Sequence, residues 1–124
     1  MEIHHVAIIA SDYARSKDFY TRILGFEIIR ETYREERQSY KLDLRVGHAQ
    51  IELFSFPNPP PRPSRPEARG LRHLAFAVTD LDAARTRLLG AGLELEEIRI
   101  DSTTDKRFFF FRDPDDLPLE IYEK

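Results

Sequence analysis

Ile3-His4-His5-Val6-Ala7-Ile8, close to the start of the chain, lies over Leu71-Arg72-His73-Leu74-Ala75-Phe76, 68 positions further on. The same offset brings Asp12 over Asp80, and Gln50-Ile51-Glu52-Leu53 over Pro118-Leu119-Glu120-Ile121. A constant offset marks an internal repeat, and the repeat decides how the rest of the chain is read. Between its copies, six of the eight prolines (Pro57, Pro59, Pro60, Pro61, Pro63, Pro66) fall between Phe56 and Gly70. Such a stretch continues neither helix nor central strand, so it reads as a semi-rigid connector. The expected organisation is a single domain over 1–124, with module one at 1–56, the connector at 57–69 and module two at 70–124.

Each module opens with an aliphatic run (3–10, then 71–78) that reads as a largely buried strand. Ser11-Asp12 and Thr79-Asp80 then offer N-cap oxygens to a helix. Tyr13, Phe19, Tyr20, Ile23 and Leu24 carry the apolar spacing of the first helix, and Leu81, Ala84, Leu88 and Leu89 that of the second. Gly25, and Gly90 or Gly92, end them. A short strand follows each helix (26–30; 93–98), then a longer polar stretch, then two strands joined by a turn (39–46 and 50–56; 107–112 and 118–123). The fold expected is α+β, two tandem βαβββ modules. A half of about 55 residues buries too little apolar surface to stand alone, so the modules should pack into an open, barrel-like trough with helices outside.

Composition narrows the function. The 124 residues are 41% hydrophobic and 33% charged, with a net charge of −3. This lacks the basic footprint that duplex DNA or anionic lipid requires, so neither nucleic acid nor membrane is an expected partner. No cysteine is present, which excludes disulfides, thiolate metal sites and thiol nucleophiles. The N-terminal residues lack the pattern of a signal peptide, which makes the cytoplasm the expected compartment.

The repeat makes His5 equivalent to His73 and Glu52 equivalent to Glu120, so pseudo-symmetry is expected to set two imidazoles and two carboxylates around one axis. Ile51 and Leu53 flank Glu52, and Leu119 and Ile121 flank Glu120; alternation turns the apolar neighbours toward the helices and the carboxylates the other way. An ionised carboxylate on a covered face needs a partner, and a divalent cation supplies one. Two nitrogens and two oxygens with room for water suit Zn, Ni, Co, Mn or Fe(II) better than Ca or Mg. His4 should point to the opposite face, and His48, beside Gly47 in a turn, should meet solvent. Phe108-Phe109-Phe110-Phe111 reads as a strand with two rings toward the core and two toward the trough. Thr32 to Arg37 reads as a solvated loop in which Arg34 or Arg37 could meet an anionic substrate group, as could Lys106 or Arg107.

These segments resemble the vicinal oxygen chelate superfamily, and within it lactoylglutathione lyase (glyoxalase I) and its short bacterial relatives. The resemblance runs through His5-Val6-Ala7-Ile8, Asp12, Phe19-Tyr20, Ile23-Leu24-Gly25-Phe26, Ile51-Glu52-Leu53, Gly70 to Phe76, and Asp113-Pro114-Asp115 with Leu119-Glu120-Ile121. One departure is visible, since Asp116 stands where the family's turn usually has glycine. The resemblance implies metal ligands at His5, Glu52, His73 and Glu120, with Zn or Ni first and Co, Mn or Fe as alternatives. It also implies Glu120 as catalytic base with Glu52 its partner, on a substrate with adjacent oxygens such as the hemithioacetal of a 2-oxoaldehyde and a thiol. The alternatives are another metalloenzyme of the superfamily (epimerase, thiol transferase or dioxygenase) or a metal-free small-molecule binding protein. A homodimer is expected, with the modules either closing within one chain or swapping between two.

Overall fold

The computed structural model describes residues 1–124, as two compact units, Met1–Pro61 and Arg62–Lys124. In the first, β1 (His5–Ala10) is followed by α1 (Tyr13–Asp18), β2 (Glu27–Arg34), β3 (Ser39–Val46) and β4 (Ala49–Ser55). They form one sheet in the order β1-β4-β3-β2, with β1 parallel to β4 and the other pairs antiparallel. In the second, β5 (Leu74–Val78), α2 (Leu81–Gly90), β6 (Arg99–Ile100), β7 (Arg107–Arg112) and β8 (Pro118–Glu123) give the matching order β5-β8-β7-β6. The α+β class and the paired strand-helix-three-strand pattern are as the repeat predicts.

The helix caps form where expected. The Asp12 and Asp80 carboxylates accept the backbone N–H groups of Arg15 and Ala83, satisfying first-turn donors that have no partner within the helix. The first helix departs from regular geometry, because Phe19–Ile23 form a π turn in which the Leu24 N–H donates to the Phe19 carbonyl at 2.9 Å. The Thr21 hydroxyl donates to the Lys17 carbonyl, a back-bond of the kind that bends helices. Phe19 and Tyr20, adjacent in that turn, are both buried. Gly25 and Gly92 adopt positive φ just beyond the helical segments.

Alternation sorts each sheet into two faces. Leu42, Leu44, Ile51 and Leu53 are buried on the α1 side, while Lys41, Asp43, Glu52 and Phe54 occupy the other face, called here the open face. In the second unit Phe109, Phe111, Leu119 and Ile121 form the core with Leu81 and Leu88, and Phe108 and Phe110 share the open face with Glu120. The phenylalanine run therefore divides as its alternation predicts. Leu89, expected in the core, is instead half exposed.

Two boundaries differ from expectation. β2 runs on to Arg34, so Thr32, Tyr33 and Arg34 pair with Lys41, Tyr40 and Ser39, and only Glu35–Arg37 form a 3₁₀ turn. Packing of Tyr33 and Tyr13 on the Tyr40 ring holds this extension against its charged composition. Residues 93–98 do not form a ladder strand, and β6 begins only at Arg99; one bond, from the Glu96 N–H to the Phe110 carbonyl, ties that acidic segment to β7. The turn at Asp113 forms, with its carboxylate accepting from the Asp115 and Leu117 N–H groups. Asp116 takes the glycine-like conformation there at φ 65°.

Candidate functional site

Parallel pairing of β1 with β4 sets Ala7 beside Glu52, and that of β5 with β8 sets Ala75 beside Glu120. A small residue opposite each glutamate leaves room for the histidine two positions earlier to lean over the carboxylate. His5 Nε2 comes within 3.5 Å of Glu52 Oε2, and His73 Nε2 within 3.0 Å of Glu120 Oε2. The structure thus assembles the four residues singled out by the repeat as two His–Glu pairs, one in each unit. Neither unit by itself gathers three or more His, Asp or Glu groups into a metal-ready cluster.

The donor chemistry fits a divalent transition metal. Two ligands about 2.1 Å from one ion lie ~3.0 to 3.4 Å apart when they are neighbours in octahedral or tetrahedral coordination, and both His–Glu separations are close to that span. The 3.0 Å separation of the second pair is also within direct hydrogen-bond reach, and the 3.5 Å of the first is longer than that. Glu120 is buried at 7% exposure, with the His73 ring resting edge-on against Phe110 at 5.0 Å. His73 Nδ1 is buried and has no hydrogen-bond partner.

Lys41 and Asp43, which the sequence argument passed over, change the electrostatics of the first pair. Lys41 Nζ lies 2.9 Å from Asp43 Oδ1 and 3.1 Å from Glu52 Oε1, and Arg30 Nε is 3.7 Å from Asp43 Oδ2. Hydrogen bonding to Asp43, and then to Glu52, raises the Lys41 pKa above its ordinary value. Glu52 therefore has a counter-charge from within the protein, and its burial alone does not demand a metal. The signal was present in the alternation of Lys41-Leu42-Asp43-Leu44, which puts both charges on the face of Glu52. In the second unit aromatic Phe108 and Phe110 stand on that face beside Glu120, and no lysine approaches it.

The remaining candidates separate clearly. His4 does not turn away from His5: it precedes β1, so strand alternation does not govern it, and the two Nδ1 atoms are 2.9 Å apart. His48 is exposed in the turn between β3 and β4. Arg107 is committed to Glu123 and Asp82, and Lys106 donates to the Lys124 carbonyl, which leaves neither directed at a substrate. Arg34 stacks over Phe54 and Phe56 and Arg37 over Phe56, and neither has a carboxylate partner.

Comparison with known proteins agrees with this architecture. The chain is 63% identical over 123 residues to the uncharacterized protein YwkD of Bacillus subtilis, covering 98% of this chain and 96% of that one. It is 60% identical over 124 residues to the uncharacterized protein YaeR of Escherichia coli, covering 99% and 96%. The crystal structure of a glyoxalase family protein from Enterococcus faecalis superposes with a TM-score of 0.91 at 50% identity, covering 98% of this chain and 97% of the other. Residues 2–121 match the model of the Glyoxalase/Bleomycin resistance protein/Dioxygenase superfamily. With the repeated βαβββ unit and a His–Glu pair in each copy, the chain belongs to that superfamily.

Proposed function

We propose that the protein is a metal-dependent lyase or isomerase of the glyoxalase kind, acting on a small substrate with adjacent oxygens such as the hemithioacetal of a 2-oxoaldehyde and a thiol. The observation that supports this reading is the recurrence of one His–Glu pair, in the same strand register, in both units. His5, Glu52, His73 and Glu120 are the residues that would hold the ion, Zn or Ni before Co, Mn or Fe. Bound there, a divalent ion supplies Lewis acidity toward a substrate carbonyl and so acidifies the neighbouring C–H. Glu120 is the base in this proposal. Its Oε2 meets His73 and no other charged group approaches it, so its second oxygen can accept the proton and return it to the adjacent carbon. Glu52 is tethered by Lys41 through Oε1 and acts as ligand and partner to the base. A homodimer in the cytoplasm completes the proposal; no helix of the chain is long and apolar enough to cross a membrane.

The Lys41 contact also favours a second reading, a metal-free binding protein for a small molecule, because it neutralises Glu52 without an ion. Elemental analysis separates the two. Untagged protein, purified without chelators or a nickel column, should carry about one transition metal per chain, reduced in Glu120→Gln. Activity on 2-oxoaldehyde thiol adducts should fall with it. Metal-free protein that takes up no Zn, Ni, Co or Mn on incubation would overturn the enzyme reading in favour of the binding protein.

A further inference from the structure

Four arginines stack on phenylalanine rings, and they differ in what else they hold. Arg99 lies over Phe108 and Phe110 and is neutralised by Glu96, and Arg85 lies over Phe109 and donates to the Glu96 carbonyl. Arg34 lies 4.8 Å over Phe54 and 5.7 Å from Phe56, and Arg37 is 5.6 Å from Phe56. The two rings are themselves stacked, 5.8 Å apart and 12° from parallel. The hydrogen bond that Arg34 makes is to a neutral group, from Nη2 to the Ser39 hydroxyl, while its Nε is buried with no partner. A half-buried guanidinium has five donors in a planar fork suited to a carboxylate or phosphoryl group. Here the Cζ of that fork lies over the Phe54 ring, and no carboxylate pairs with its charge.

Its position links it to the candidate site. Phe54 follows Glu52 by two residues on β4 and shares its face, about 7 Å further along the strand. We propose that Arg34, with Arg37 beside it, forms an anion-binding subsite on the open face of the first sheet. It takes the carboxylate, phosphate or phosphonate end of a small ligand whose adjacent oxygens lie toward Glu52. This rests on the function proposed above for the meaning of the ligand, and the subsite itself is testable without it. The rings back the guanidinium and Ser39 engages Nη2; Nε is buried, so the remaining Nη donors are the ones left for the anion.

The test is a titration of the protein as purified with inorganic phosphate, and separately with acetate, at constant ionic strength. It is followed by the backbone amide signals of Ser39, Phe54 and Phe56, which touch Arg34 and are present in every variant, in proton–nitrogen spectra. A saturable shift of these signals is expected, with affinity weakened about tenfold in Arg34→Lys, which keeps the charge and loses the fork. Arg37→Gln, at a position that makes no hydrogen bond, should weaken binding without disturbing the fold, and Arg22→Gln on the first helical segment should leave it unchanged. Tighter binding of phosphate than acetate would identify a phosphoryl or phosphonyl ligand, and the reverse order a carboxylate. No saturable shift up to about 50 mM, or wild-type affinity in both Arg34→Lys and Arg37→Gln, would overturn the subsite. Loss of metal uptake leaves phosphate binding untouched, so failure of the metal reading is distinguishable from failure of this one.

Discussion

Replacing Lys41 by methionine removes the cation that faces two carboxylates while keeping most of the side-chain volume. The ammonium lies 2.9 Å from Asp43 and 3.1 Å from Glu52, and Asp43 is only 3% exposed. At an effective dielectric of about 20, each contact is worth ~5 kcal/mol before desolvation is subtracted. Breaking a buried pair costs about 3–5 kcal/mol, and the 26% exposure of the Lys41 side chain puts this case at the lower end, ~3 kcal/mol. With a urea dependence of about 1.5 kcal/mol per molar, the unfolding midpoint should fall by roughly 2 M. Adding Asp43→Asn to Lys41→Met should recover part of the loss, since one stranded charge is removed, and a double-mutant cycle should show strong coupling. The alkaline limb gives an independent check. A lysine whose pKa is raised on folding contributes stability that is complete below its ordinary value of 10.5 and is lost as pH rises through the folded value. The wild type should lose that share above pH 10.5, and Lys41→Met should lack that part of the slope. A Lys41→Met midpoint within about 0.3 M of wild type, or additive behaviour with Asp43→Asn, would show that Lys41 does not stabilise the two carboxylates.

Three further outcomes are expected. Tyr13 and Lys17 both donate to Glu31; the Lys17 bond, then that of Tyr13, lowers the Glu31 pKa, while burial and then Glu31 raise that of Tyr13. Their contribution should therefore be lost as pH falls below about 4.5 and again as it rises above about 10, and Tyr13→Phe should cost ~1 kcal/mol at pH 7 and flatten both limbs; thermal melts across pH check this. Phe109→Ala, at a fully buried ring, should cost about 3–5 kcal/mol in urea unfolding, and Phe108→Ala, on the open face, less than half as much; equal costs would contradict the assignment of faces. Asp116→Gly relieves a left-handed aspartate but loses its contact with Arg112, so stability should stay within about 0.5 kcal/mol of wild type, and a loss above ~1 kcal/mol would show that the carboxylate matters more than the backbone.

The repeat made the fold legible, because both copies share strand and cap signals at one offset, with helix-ending glycines and a hairpin turn close to it. The sequence failed where tertiary contacts override local preference. Thr32 to Arg34 look like loop by composition but are held as strand by the Tyr13, Tyr33 and Tyr40 rings. Leu93 to Ile98 alternate like a strand, yet their glutamates accompany a segment that bonds to β7 only through Glu96. For the candidate site, periodicity singled out His5, Glu52, His73 and Glu120, since each is marked by its twin, and the structure sets each His beside its Glu. Lys41 and Asp43 have aromatic counterparts in the second unit, so comparison of the copies could not reveal them.

The parallel pairing of first and last strand in each unit bears on the order in which the protein folds. β2, β3 and β4 are joined by short turns and pair with near neighbours in the chain, whereas β1 must wait for β4 and β5 for β8. Closing such a long loop is slow, because its entropy is lost before the contacts compensate. Both His–Glu pairs span that last junction. The chemistry proposed for the protein should accordingly appear at the end of refolding, after most of the sheet hydrogen bonds are protected from exchange. Substitutions along β1 and β5 should then act mainly on how fast each unit comes apart, leaving its rate of formation nearly unchanged.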